Sequence, residues 1–76
     1  MAKFEAVIIT GLRERVSKNV SDLLRRRELS YRTAAELCGV SYSTIFKLAN
    51  NQQSISIEIA AAICNGFRIT LNQLVR

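Results

Sequence analysis

The chain contains no histidine, no proline and no tryptophan, and only two cysteines among its 76 residues. Without histidine it lacks the side chain that most readily donates and accepts protons near neutral pH. Two cysteines far apart in sequence, Cys38 and Cys64, are too few for a secreted disulfide scaffold or a zinc site. Both lie among apolar residues, so we interpret them as small buried hydrophobic residues.

Long hydrophobic runs are missing as well. No stretch approaches the roughly 18 apolar residues of a membrane span, and residues 6–9 are too short for the hydrophobic region of a signal peptide. We therefore expect a cytoplasmic protein with no membrane partner. Glu36 and Glu58 are isolated carboxylates and there is no glycine-rich phosphate loop, so we expect no enzymatic activity. No cofactor, metal or small-molecule ligand is expected either.

Basic residues outnumber acidic ones by eleven to six, which gives a net charge of +5. Such an excess attracts polyanions, namely DNA, RNA or an acidic membrane surface. Hydrophobic residues make up 49% of the chain, which is enough for one packed domain. With no proline and three isolated glycines, the composition favours helices joined by short turns.

Five helices are predicted from about residue 12 onward, because apolar residues recur there every three or four positions. Helix 1 is expected at residues 12–27, helix 2 at 31–38, helix 3 at 42–49, helix 4 from residue 57 and a short helix 5 from residue 71. A serine or threonine precedes each of the last four as an N-cap, namely Ser30, Ser41, Ser56 and Thr70. Thr70 and Gln73 have the spacing of a capping box.

Residues 1–11 allow two interpretations. Phe4, Val7, Ile8 and Ile9 fit a short helix that leads into helix 1, which is the interpretation we favour. The same β-branched run before Gly11 also fits an edge strand. We treat residues 1–11 as an N-terminal extension of a domain that spans residues 12–76.

The most informative segment is residues 29–48, LSYRTAAELCGVSYSTIFKL. Two short helices that meet at a steep angle need small residues at their contact, here Ala34 and Ala35. The turn between them needs a residue with positive φ, here Gly39, and Val40 fills the corner. The second helix then directs Ile45 and Leu48 inward and presents an outer face of Tyr42, Ser43, Phe46 and Lys47.

This pattern resembles the helix-turn-helix domain of the lambda repressor and Cro kind, also called the XRE-type domain. The matching residues are Leu29-Ser30, Ala35-Glu36-Leu37, Gly39-Val40-Ser41 and Ser43-Thr44-Ile45, within a resemblance over about residues 16–75. It implies an all-α, compact five-helix lambda-repressor-like DNA-binding domain, with an additional N-terminal helix or strand left open.

The resemblance also implies a function, which is sequence-specific binding of double-stranded DNA by a small transcriptional regulator of phage or bacterial type. A repressor, a Cro-like protein and a restriction–modification controller-like protein all fit this description. The alternative is an antitoxin-type protein-interaction module that also binds its own promoter. Fold alone does not separate these roles.

In such domains the start of helix 3 meets base edges in the major groove. The implied base contacts are Ser41, Tyr42, Ser43 and Lys47. Tyr42 is suited to a thymine methyl or to a hydrogen bond through its hydroxyl, and Lys47 to a guanine or a phosphate. The implied contacts to the phosphate backbone are Ser30, Tyr31, Arg32, Asn50, Asn51, Gln52 and Gln53. Residues 25–27, three consecutive arginines, suit either phosphate contact or a solvated helix end.

Several positions depart from the family pattern. Tyr31 replaces a glutamine that binds a phosphate in many members, and its hydroxyl is the available substitute. Leu24 and Ala49 replace an arginine–glutamate ion pair, and an apolar contact is the expected replacement. Asn51 and Arg68 stand where the family has glycine. A left-handed conformation at Arg68 would cost about 1 kcal/mol.

Members of the family dimerise, so that two helices enter successive major grooves about 34 Å apart. We therefore expect a homodimer on a pseudo-palindromic operator, with the dimer contact made by the domain itself. The expected surface is an apolar group at the C-terminal end, namely Phe67, Ile69, Leu71, Leu74 and Val75. The alternative surface is Phe4, Val7 and Ile9, and both groups could instead be ordinary core.

Overall fold

Helices account for most of the residues that the computed structural model describes, which are residues 3–76 for the backbone and 11–76 for the side chains. They are α1 (Lys3–Arg26), α2 (Tyr31–Cys38), α3 (Tyr42–Ala49), α4 (Ile57–Phe67) and α5 (Leu71–Val75). Within this range there is no strand. The predicted all-α, five-helix fold is therefore confirmed.

The first helix is longer than the sequence predicted, because α1 begins at Lys3 rather than near residue 12. Residues 3–11 continue α1 without a break, so they form neither a separate helix nor an edge strand. Helix propensity is a weak local preference, and the β-branched residues before Gly11 do not override the helix that follows. The side chains of Phe4, Val7 and Ile9, the alternative dimer surface, lie outside the described residues.

The core lies between the long α1 and the four shorter helices. On α1 the buried residues Val16, Val20 and Leu24 are four positions apart, which places them in one stripe along the helix. The other helices contribute Ala34, Ala35, Cys38, Ile45, Leu48, Ile63, Phe67 and Leu74. Burial of this apolar surface is the main stabilising contribution to the fold.

Two residues of the expected dimer surface belong to this core. The side chains of Phe67 and Leu74 are 0% exposed within the single chain, so the prediction that they form a dimer contact is wrong. An apolar residue near a chain end packs inward when a neighbouring helix covers it, and α5 packs against α1 here. Ile69 and Val75 are partly buried against the core, whereas Leu71 is 58% exposed.

The first four helices all end in the same left-handed turn. Within two residues of the end of each helix, one residue has a positive φ between 53° and 69°. These residues are Glu28, Gly39, Asn51 and Arg68. The following amide then donates to the carbonyl five residues earlier, in the pairs Leu29 to Leu24, Val40 to Ala35, Gln52 to Lys47 and Ile69 to Cys64. This Schellman arrangement satisfies carbonyls that the helix end would leave without a partner.

Three of these turns share one three-residue pattern: a left-handed residue, an apolar residue and a hydroxyl-bearing N-cap. They are Glu28-Leu29-Ser30, Gly39-Val40-Ser41 and Arg68-Ile69-Thr70. Each middle residue packs against the core, and each hydroxyl accepts from the backbone amide three residues later. With this pattern the next helix begins after only three or four residues, so the turn fixes the direction of the new helix.

Gly66 has a different role from Gly39, because it allows α4 to approach the end of α2. A Cβ at Gly66 would lie 2.7 Å from the Cα of Cys38 and 2.9 Å from the carbonyl oxygen of Leu37. Both contacts are with backbone, which has little freedom to move. The sequence pattern gave no indication of this contact.

Replacing each of the three glycines by alanine should therefore change the free energy of unfolding in a different way. Gly66→Ala should lower the free energy of unfolding by about 2 kcal/mol or more, because the helices must separate. Gly39→Ala should lower it by about 1 kcal/mol, because its φ of 69° is unfavourable for a side chain although the space is open. Gly11→Ala, within α1 and with no neighbour in the way, should raise it by up to about 1 kcal/mol. Urea unfolding of the three variants measures the order, and equal losses at Gly39 and Gly66 would contradict it.

The reverse exchange should stabilise the turns that lack glycine. Arg68 and Glu28 are exposed and hold positive φ values of 58° and 53°. Arg68→Gly and Glu28→Gly should each raise the free energy of unfolding by about 0.5–1 kcal/mol, because glycine adopts this conformation without strain. Asn51→Gly is the control and should change little, since asparagine tolerates the same conformation. A lower melting temperature for Arg68→Gly would show that the left-handed turn carries no strain.

Candidate nucleic-acid interface

The helix–turn–helix unit is formed by α2, the turn at Gly39 and Val40, and α3. Gly39 has φ 69° and ψ 30°, and its amide donates to the carbonyls of Ala35 and Glu36. The facing residues Ala34 and Ala35 are buried, and their small side chains let the two helices approach. Val40 is partly buried against the core, as the sequence predicted.

Two hydroxyl groups of α1 hold the C-terminal end of α3. Ser17 Oγ donates to the carbonyl oxygen of Ala49 at 3.0 Å, and Ser21 Oγ donates to the same atom at 2.9 Å. Ser17 is buried, so this pair replaces the water that the carbonyl would otherwise bind. Sequence reasoning expected an apolar contact of Leu24 with Ala49 here and missed the serines, although their four-residue spacing places both on one face of α1.

The outer face of α3 is solvent-exposed along its length. Ile45 and Leu48 point into the core and are fully buried. The opposite side presents the exposed side chains of Tyr42, Ser43, Phe46 and Lys47. Residues 41–57 include no aspartate or glutamate, so the face and the loop after it carry no negative side chain.

Ser41, the first of the expected base contacts, is the N-cap of α3. Its Oγ accepts a hydrogen bond from the amide of Thr44 at 3.1 Å and lies 2.8 Å from the Thr44 hydroxyl. The side chain is exposed. Its hydroxyl therefore already has partners within the protein, which makes capping its role in the free chain.

An aromatic cluster of Tyr31, Tyr42 and Phe46 joins the start of α2 to the outer face of α3. The ring of Tyr31 meets that of Phe46 edge-on at 5.4 Å between centroids, and that of Tyr42 at 5.9 Å. Tyr42 and Phe46 are stacked with centroids 6.4 Å apart and an interplanar angle of 17°. Such geometries are favourable for aromatic pairs, so Tyr31 supports the two rings of α3.

The start of α2 borders a groove of about 530 Å³ beside this cluster. Its lining combines the apolar Leu24 and Leu29 with Ser21, Arg25, Glu28, Ser30, Tyr31, Arg32 and Tyr42. Ser30 is the N-cap of α2 and accepts from the amide of Thr33 at 3.1 Å. The charged groups that line the groove are the guanidinium groups of Arg25 and Arg32 and the carboxylate of Glu28.

The residues that follow α3 form the other end of this surface. Asn50 Nδ2 donates to the carbonyl of Phe46 at 2.8 Å and lies 3.5 Å from the hydroxyl of Tyr31. Asn51 takes the left-handed conformation with φ 57°. Gln52 is exposed and Gln53 is partly buried. The amide groups expected to meet the phosphate backbone are thus adjacent to the outer face of α3.

The three arginines at the end of α1 have separate environments. Arg27 donates to the carbonyl of Phe67 at 2.8 Å, and its guanidinium carbon lies 5.6 Å from the centre of the Phe67 ring. It therefore stabilises the C-terminal end of α4. Arg25 pairs with Asp22 at 2.6 Å on the surface, and Arg26 is exposed.

The two thiols have the properties of packing residues. Burial raises the pKa of the Cys38 thiol, and also that of Cys64, above the usual range, so neither favours the reactive thiolate. In the part of the chain that the structure describes, no three of the histidine, cysteine, aspartate and glutamate side chains lie close enough together to hold a metal ion. Within the same range, no helix is both long and apolar enough to cross a lipid bilayer.

Two short helices that pack together and are joined by a tight turn with glycine form a helix-turn-helix motif. A helix-turn-helix family model matches residues 20–74. The chain therefore belongs to this family, the XRE-type domains of the lambda repressor and Cro kind. Sequence-specific DNA binding and a general role in regulation follow from this membership. Comparison with curated proteins and with solved structures gave no match.

Proposed function

We propose that this protein is a small transcriptional regulator that binds a pseudo-palindromic operator as a homodimer, with α3 in the major groove. The observation that carries the proposal is the exposed outer face of α3, which is rigidly held from behind by Ile45, Leu48 and the two α1 serines. Ser41, Tyr42, Ser43 and Lys47 remain the proposed base contacts. The proposed role involves binding alone, and the cytoplasmic location expected from the sequence stays a prediction.

Charge supports the proposed orientation on DNA. Lys47 is exposed on α3 and Arg32 is exposed on α2. Cations along one face neutralise phosphates and release counterions, which is the sequence-independent part of DNA affinity. Tyr31 and the amide groups of Asn50, Gln52 and Gln53 are the proposed neutral contacts to the backbone, together with Ser30 and Asn51.

Dimerisation is proposed through the apolar surface that remains at the C-terminal end. Leu71 is 58% exposed on α5, and Ile69 and Val75 are only partly buried. One recognition helix contacts only a few base pairs, so pairing two copies on one operator multiplies the specificity. A repressor, a Cro-like protein and a restriction–modification controller are all regulators of this kind.

The antitoxin-type alternative keeps DNA binding and adds a second protein as partner. The observation that favours it is the exposure of two large apolar side chains on helices other than α3, Leu37 on α2 and Ile57 at the start of α4. Isolated exposed apolar residues are common on protein surfaces. The regulator without a protein partner is therefore our first proposal.

Lys47→Ala should weaken binding to a selected operator by about tenfold, since a base contact contributes roughly 1–3 kcal/mol. Lys18→Ala is the matched control, because it removes the same charge from an exposed position on α1 and should cost less than about threefold. Both variants should melt like the parent. Fluorescence anisotropy on one duplex measures both affinities, and equal losses for the two lysines would contradict the proposed docking face.

Sedimentation of the protein with a pseudo-palindromic duplex should show two chains per duplex at saturation. Leu71→Ser, a change at an exposed position, should leave the melting temperature nearly unchanged and make half-site occupancy less cooperative. Thr70→Ser, the neighbouring residue with its hydroxyl cap retained, is the control and should bind like the parent. One chain per duplex at saturation would rule out the dimer.

A further inference from the structure

We propose that Phe46, together with Tyr42, recognises the 5-methyl group of thymine, so that the operator is read in part through methyl groups rather than through paired hydrogen bonds alone. The inference rests on the proposed function, because it requires α3 to lie in the major groove. It assigns a specificity role to Phe46, which the family resemblance did not include among the base contacts.

The first observation is the exposure of two stacked rings on α3. Tyr42 is 53% exposed and Phe46 is 38% exposed, although neither is needed to cover the core. They are four residues apart, so they share one face of the helix. Tyr31 packs edge-on against both rings, so the three rings form one cluster in the free chain.

The second observation is what α3 lacks. Its sequence, YSTIFKLA, has no arginine, asparagine, glutamine, aspartate or glutamate. Together with lysine, these are the side chains that make bidentate contacts to guanine or adenine, or accept from cytosine, and α3 keeps only Lys47 of this set. The amide of Asn50, at the end of α3, already donates to the carbonyl of Phe46. Polar recognition by α3 therefore depends on Ser43, Lys47 and the Tyr42 hydroxyl.

The occupant that fits an apolar patch on a recognition helix is the thymine methyl group. Among the four unmodified bases only thymine presents an apolar group in the major groove, and phenylalanine is one of the side chains that contact it. Burying a methyl group against Phe46 removes apolar surface of both partners from water. A base pair without that methyl leaves the exposed ring unpartnered.

The test uses the duplex recovered by selection from a random DNA pool, with each thymine of the half-site replaced in turn by deoxyuridine. This change removes only the methyl group and leaves the base-pairing edge intact. At one or two positions the unmodified protein should bind about fourfold more weakly per half-site, the loss expected for one buried methyl-sized group. Replacing both half-sites should give a loss of about fifteenfold.

In the Phe46→Ala variant, replacing thymine by uracil at the sensitive position should change the affinity by less than twofold. Lys18→Ala, at an exposed position of α1 outside the proposed interface, is the control and should keep the fourfold difference. At the sensitive position, 5-methylcytosine should bind about fourfold better than cytosine, because the methyl group occupies the same place in the groove. The uracil series on the unmodified protein needs no variant, so the test stands even if Phe46→Ala folds poorly.

Specific binding that is insensitive to every uracil would overturn the inference and leave the proposed function intact. Uracil effects that persist unchanged in a folded Phe46→Ala variant would overturn the role of Phe46. A pool that yields no preferred duplex would instead overturn the proposed function itself. If the ring cluster serves a protein partner, the uracil series will likewise show no effect.

Discussion

At three of the four helix junctions, the direction in which a helix leaves its predecessor depends on one repeated backbone conformation. At the end of α1, α2 and α4 a single left-handed residue turns the chain, an apolar residue anchors the turn in the core, and a hydroxyl caps the next helix. Because this turn pattern occupies only three residues, it fixes the angle between the two helices that it joins. The placement of α3 on the surface follows from this repeated turn, and so does the interface.

Side-chain hydrogen bonds to helix C-terminal ends also fix how the helices are oriented. The carbonyl of Ala49 receives two serine hydroxyls, Asn19 donates to the carbonyl of Leu74 at 2.6 Å, and Arg27 donates to that of Phe67. Each of these hydrogen bonds joins α1, or Arg27 directly after it, to the C-terminal end of another helix, where carbonyls lack partners within the helix. The long α1 therefore orients α3, α4 and α5 together, and the outer face of α3 is presented on a rigid support.

Much of this fold could be predicted from sequence, because its signals are local. The caps at Ser30, Ser41, Ser56 and Thr70 and the left-handed Gly39 depend on neighbouring residues, and the structure has them where expected. Long-range contacts gave no local signal, namely Gly66 against Cys38, Ser17 on Ala49, and the burial of Phe67 and Leu74. The aromatic cluster is intermediate: Tyr42 and Phe46 were predicted on one face, but Tyr31 reaches them only through the fold.

The account centres on two copies of α3 entering successive major grooves. Selection of duplexes from a random pool with the purified protein tests this most directly, because it requires no assumed operator. The account predicts an enriched inverted repeat whose half-sites are centred about one helical turn, or ~10 base pairs, apart. Enrichment of a single unrepeated element, or no enrichment above the starting pool at physiological salt, would contradict it.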